Sequence, residues 1–167
     1  MKKKRGCLGT LFLIMILIIG GCSILDSCGV DKITTTKKKT ATPEYKRIAN
    51  TLRNEYDFSD SKNTKMKNDD GSVIYSYQGS KYSCVLTVDK NKKIKEANFF
   101  TYNNDLGYLS RAAEVYSKDD TDAIGWVKAT APNVPGDQAP TKDFGNKSYE
   151  LVKTSEGRIS LMISLKK

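Results

Sequence analysis

An apolar run, Leu8–Ile19, stands behind the basic cluster Lys2-Lys3-Lys4-Arg5 and ahead of Gly20-Gly21-Cys22. No other stretch constrains the chain as much. A basic segment, a short apolar run and then small residues is the layout of an export signal. The basic cluster stays on the cytoplasmic side and the chain beyond the apolar run crosses. The run is 12 residues long, whereas a spanning helix needs about 20. Gly20-Gly21 lowers helix propensity and leaves the backbone open to a peptidase.

Ile18-Ile19-Gly20-Gly21-Cys22 resembles the lipobox of bacterial lipoproteins. The resemblance covers only the first 23 residues or so. It implies that Cys22 receives a diacylglycerol on its sulfur and that cleavage makes Cys22 the first mature residue, followed by Ser23. One position departs from the family's habit, since Gly20 stands where Ala or Ser is commoner. A second reading of the same residues stays open. If the glycines are tolerated, Leu8–Leu25 makes 18 apolar-rich residues, the lower edge of an uncleaved single-pass membrane anchor. Either way the residues after 26 lie on the extracytoplasmic face of the cell membrane.

The basicity must be read against that layout. The formal charge is +9, yet residues 1–22 hold four Lys/Arg and no acid, and residues 23–42 hold four lysines and two aspartates. That leaves +3 for the remaining 125 residues. Much of the charge therefore belongs to topology and tether, so no nucleic-acid partner is expected. The chain has no histidine, which removes the commonest general base and zinc ligand and every Ser-His or Cys-His nucleophile. Of four cysteines, Cys7 and Cys22 belong to the signal region. Cys28 and Cys84 have the option of a disulfide outside the membrane. The favoured expectation is that Cys84 is a buried strand residue and Cys28 a free or acylated thiol, because a tether gains little from a bond.

Composition divides the chain into three segments: 1–22 as signal or anchor, 23–42 as a flexible linker, 43–167 as one extracytoplasmic domain. In that domain Thr42-Pro43-Glu44 reads as a helix start, with Thr42 as cap. Tyr45, Ile48, Ala49, Leu52 and Tyr56 share a face, predicting a helix over 43–56. Residues 57–70 are polar and read as a loop. Strands are expected at Val73–Tyr77, Tyr82–Asp89 and Ile94–Tyr102, a meander whose third strand puts Ile94, Glu96, Asn98 and Phe100 on one face. Two helices come next. The first carries Leu106, Leu109, Ala112, Ala113 and Tyr116; the second starts at Asp119–Asp122 and ends at Pro132. Residues 133–146 read as a long loop. A hairpin of Lys147–Lys153 and Arg158–Leu165 closes the chain. In its last strand Ile159, Leu161, Ile163 and Leu165 point to a core, and Ser160, Met162 and Ser164 to water. The sum is an α+β fold: an N-terminal helix and a five-stranded antiparallel sheet with its helices on one face.

Chemistry-bearing constellations are sparse. Asp119, Asp120 and Asp122 lack the spacing and glycine of a calcium loop and suit a helix start instead. No metal or cofactor is expected, and no phosphate loop or catalytic pair appears, so the chain is not expected to be an enzyme. Trp126 and Tyr108 are the candidate partner-contacting residues, since exposed Trp and Tyr anchor interfaces. Trp126 also suits a lid over the core edge, with Gly125 beside it admitting a close neighbour. The function class that fits is a binding module at the bacterial cell envelope, with a membrane and an unknown envelope protein or peptide as partners, as in self-immunity or exclusion. The alternative is an accessory subunit of a secretion or conjugation machine.

Overall fold

The structure, a computed structural model, describes residues 42–136 and 138–166. The apolar run, Cys22 and Cys28 lie outside those residues, so lipid attachment and a Cys28–Cys84 bond are not addressed by it. Among the described residues no helix is long and apolar enough to cross a membrane.

Helix α1 spans Glu44–Glu55 and buries Tyr45, Ile48, Ala49 and Leu52 as one stripe. Pro43, rather than Thr42, stands at its cap, and no side chain caps it. Instead the Pro43 carbonyl accepts from the Lys46 and Arg47 N–H groups at 3.0 and 3.1 Å. Glu44 in the first turn and Arg53 in the last suit the helix dipole. Helix α2, Leu106–Ser117, is capped by Asp105, whose carboxylate accepts from the Tyr108 N–H. Helix α3, Thr121–Thr130, is capped in the same way by Asp120 onto the Ala123 N–H at 3.1 Å. The acidic cluster is thus used to start a helix. A short 3-10 turn, Ala131–Asn133, ends it, with Pro132 in its first turn.

Among the described residues the sheet has seven antiparallel strands: β1 Phe58–Lys67, β2 Val73–Gly79, β3 Tyr82–Val88, β4 Ile94–Thr101, β5 Thr141–Phe144, β6 Lys147–Lys153 and β7 Ile159–Leu165. Their order is β1-β2-β3-β4-β7-β6-β5. The α+β class stands, but five strands was an undercount. Residues 57–70 and 133–146 each contain a strand where a loop was expected. Both extra strands sit at the outer edges. There a strand needs no apolar alternation, and lysines on it blunt pairing with another chain. β1 carries Lys65 and Lys67, and β5 is only four residues long.

One face of the sheet carries the core. Register places Cys84 opposite Phe99, Leu86 opposite Ala97, Phe99 opposite Leu161, and Leu151 opposite Leu161 on its other side. Those residues are buried together with Ile48, Leu52, Leu109, Ala113 and Val127 of the three helices. Cys84 is buried in that layer with no disulfide partner among the described residues, and burial pushes its thiol pKa far up. Ile94 departs from expectation. Thr87 pairs with Glu96 but Val88 with Ile94, so Lys95 is an extra residue in β4. This bulge turns Ile94 to the core side, leaving Glu96, Asn98 and Phe100 on the other face.

Gly125 also departs from expectation. It is exposed on α3, and a Cβ there meets nothing within 4 Å, so it admits no close neighbour. Gly125→Ala is therefore expected to stabilise the domain by about 1 kcal/mol through helix propensity alone. A rise in the thermal midpoint checks this.

Candidate functional site

The three helices cover one face of the sheet and leave the other to solvent. On the uncovered face three cross-strand rows are set by the register. The first is Ile74, Thr87, Glu96 and Ser164. The second is Ser76, Val85, Asn98 and Met162. The third is Gln78, Ser83, Phe100 and Ser160. Small serines stand between larger apolar side chains. Ser76, Ser83 and Ser160 are buried although no helix lies over them.

At one end of this face three groups stack. The Phe100 and Tyr102 rings meet edge-on with centroids 4.7 Å apart. The Arg158 guanidinium lies 5.7 Å from the Tyr102 ring centroid, and it also meets Glu156 at 2.9 Å. Phe100 is on β4 and Tyr102 is the first residue past its end, two positions on, and their ring contact puts both on this face. Arg158 precedes β7 by one residue, and pairing of Phe100 with Ser160 brings it alongside. The outcome is an aromatic pair with an arginine over it, half-buried and uncovered by any element. Aromatic residues and arginine are the types that dominate binding energy at interfaces.

Glu96 lies in the first of the three rows, near the start of β4 and away from the Phe100 stack, and burial raises its pKa above the ordinary glutamate value. Asn98 Oδ1 and Ser83 Oγ are out of contact with solvent and have no hydrogen-bond partner among the described residues. A carboxylate held at a cost on an open sheet face is a stability term. Its sign is fixed. Because the folded-state pKa is raised, the charged form is the one that folding disfavours. The cost is present above that raised pKa and disappears as pH falls through it. Glu96→Gln should therefore raise stability at pH 7 and leave it little changed near pH 4, where the wild-type group is largely protonated in both states. Paired melts at the two pH values check it.

The residues singled out in the sequence lie elsewhere. Tyr108 is wholly buried, so it offers nothing to a partner. Its hydroxyl donates to the Ser83 carbonyl at 2.7 Å. The reason is that α2 is enclosed from several sides. It buries seven residues rather than a single stripe, and Arg47 of α1 donates to its Val115 carbonyl at 2.8 Å. Trp126 is half-buried and packs on Phe144, with centroids 6.2 Å apart, at the β5 edge and away from the Phe100 stack. Cys22 is not among the described residues.

Two other arrangements gather polar groups without making a site. A depression of about 180 Å³ between the β1–β2 and β3–β4 turns is lined by Asp70, Ser72, Asp89, Lys90 and Lys95. It is smaller than the roughly 300–1,000 Å³ of ligand pockets. Its Asp70 carboxylate is already engaged by Ser72 and Lys95, which hold its pKa at about 2. The second is an ion network across the helices. Arg111 makes two 2.7 Å contacts to Glu55 and one of 3.1 Å to Glu114, and Lys128 meets Glu114 at 2.9 Å. Each member is satisfied by another, which suits a tie between helices better than a site. Among the described residues no group of three or more Cys, Asp or Glu is placed to hold a metal ion.

Comparison with protein-family models, with curated proteins and with solved structures finds no match in any of the three.

Proposed function

We propose that the chain is a membrane-anchored binding module of the bacterial envelope, which presents its uncovered sheet face to a protein or peptide on the extracytoplasmic side. The observation that carries the binding half is the Phe100–Tyr102–Arg158 stack. Beside it lie the half-buried Val85 and Met162, so an apolar centre adjoins a polar rim of serines and Glu96. That is the anatomy of a recognition surface. The anchored half rests on the basic cluster, the short apolar run and Gly20-Gly21-Cys22. The reading is non-catalytic: the chain lacks histidine, the commonest general base at neutral pH.

Two measurements test the two halves. Mass spectrometry of the protein taken from bacterial membranes should find Cys22 as the lipid-bearing first residue, and Cys22→Ala should release the domain from the membrane. An intact peptide from Met1 on the major species would replace the lipid by an uncleaved anchor. For the binding half, a photo-crosslinking residue at Phe100 should trap an envelope partner, while one at Asp122 on the helix side should not. Adducts from position 122 alone would place the partner on the wrong side for this proposal.

A further inference from the structure

The end of the domain at which the linker enters can be fixed from contacts. Glu44, at the start of α1, lies 3.8 Å from Lys118 just past the end of α2. Lys147, at the start of β6, sits 4.8 Å from the ring centroid of Tyr116 in the last turn of α2. β6 starts beside the end of β7, where the Lys166 N–H donates to the Asn146 carbonyl at 2.9 Å. The end of β7 pairs with the start of β4, Ser164 against Glu96. Lys95, at the start of β4, meets Asp70 of the β1–β2 turn at 3.1 Å. The start of α1, the β1–β2 turn, the β3–β4 turn and the chain's tail therefore share one end of the domain. The Phe100–Tyr102–Arg158 stack lies at the opposite end.

Charge is not even across that end. Residues 65–72 and 89–95 hold six lysines against three aspartates. Two of the aspartates are engaged locally. Asp70 accepts from the Ser72 N–H and from Lys95, and Asp89 accepts from the Asn91 and Lys93 N–H groups at 2.8 Å each. Of the six lysines only Lys95 has a carboxylate partner among the described residues. Lys65, Lys67, Lys90, Lys92 and Lys93 are exposed. Lys65 and Lys67 pair with Tyr75 and Val73 and so share the helix side of the sheet, where the Lys65 ammonium lies 5.9 Å from the Tyr75 ring centroid. Lysines without carboxylate partners, gathered at the end where the tether enters, are placed to meet anionic headgroups.

We infer that this corner, the joined tips of β1–β2 and β3–β4, is a cationic platform that lies on anionic lipid. The inference rests on the anchored reading above and extends it to an orientation. Cys22 and Thr42 are twenty positions apart, so even a fully extended tether spans only about 70 Å. The corner never leaves the neighbourhood of the membrane, and each lysine brought to an anionic surface adds roughly five-fold to the population in contact. The same orientation turns the Phe100 stack outward, toward the partner side of the envelope.

The test uses the full chain, extracted from bacterial membranes and reconstituted into vesicles. One set is pure phosphatidylcholine and the other contains a third phosphatidylglycerol. Lysine acylation read by mass spectrometry reports exposure at each position. Labelling of Lys65, Lys67, Lys90, Lys92 and Lys93 should fall several-fold in the anionic vesicles relative to the neutral ones. Labelling of Lys81 and Lys153 at the far end should be the same in both. The protection should vanish near 1 M salt, where charges are screened within about 3 Å. Lys90→Glu with Lys93→Glu should restore labelling at Lys65 and Lys67 in the anionic vesicles. Equal labelling of the five lysines in both vesicle types, on a chain that floats with both, overturns the platform and leaves the anchor standing. A chain that does not float with neutral vesicles overturns the anchored reading and the platform with it.

Discussion

Replacing Tyr108 by Ala should cost the domain about 3–5 kcal/mol, and replacing it by Phe only about 1 kcal/mol. The ring is the hub of an aromatic cluster. It meets Tyr82 at 4.7 Å, Tyr56 at 4.9 Å and Phe58 at 6.4 Å between centroids. It is wholly buried between α2 and the start of β3. Truncation therefore removes packing from β1, from β3 and from Tyr56 just past α1, and leaves a cavity among them. Small domains are stable by about 5–15 kcal/mol in total, so the Ala variant sits close to unfolding at 37 °C. The Phe variant keeps the ring and loses only the 2.7 Å bond to the Ser83 carbonyl. Chemical denaturation of the fragment from Thr42 onward, with wild type, Tyr108→Phe and Tyr108→Ala side by side, measures the split. Cooperative unfolding of all three is expected, since residues Thr40–Lys167 form one compact unit. If Ala costs no more than Phe, the cluster is not a core element.

That contrast shows where the sequence was readable and where it was not. The three helices and the five central strands announce themselves by period, because each has one face in a common core. β1 does not. Phe58–Lys67 is almost wholly polar, since an edge strand beyond the reach of the helices has little to bury and keeps Lys65 and Lys67 in water. β5 is silent for the same reason, with only Phe144 turned inward. Tyr108 was misplaced because helical period predicts one buried stripe, whereas α2 is enclosed on several sides, a tertiary fact. The bulge at Lys95 was equally hidden, as alternation gives no sign of an inserted residue. The candidate surface was half legible. Alternation alone grouped Phe100 with Asn98 and put Ser160 with Met162 on the wet face of the last strand, but it left open which face of β4 meets the core. That Arg158 comes to lie over Tyr102 depends on the pairing of β4 with β7, and those strands are joined through two helices and two further strands. Nothing local encodes that neighbour.

Trp126 is the second position where a single side chain should matter to the fold. It lies on α3 and packs on Phe144, whose ring meets Tyr149 edge-on at 5.4 Å. Tyr149 is fully buried, and its hydroxyl shares a 2.7 Å hydrogen bond with Ser117 at the end of α2. The Trp ring is thus the outermost plate of a stack that ties α3 to the short edge strand β5 and through β6 to the core. Of the four residues of β5 only Phe144 is even partly buried. The strand has little else to hold it, apart from its pairing with β6 and the 2.7 Å ion pair of Asp143 with Lys166. Trp126→Ala should remove about 3 kcal/mol, at the low end for a tryptophan because its own ring is half-exposed. For a domain of this size that is roughly 10 °C in the thermal midpoint. The loss should be local before it is global. Amides of Lys142 and Phe144 should exchange faster in the variant under native conditions, while those of β3 and β4 keep their protection. Trp126→Phe should recover a good part of both effects, because a smaller ring still covers Phe144. An Ala variant that melts within a degree or two of wild type, with β5 still protected, would show that the ring contributes nothing to the core edge. It would make Trp126 a surface anchor and move the search for a partner from the Phe100 stack, on the central strands, to the β5 edge of the sheet.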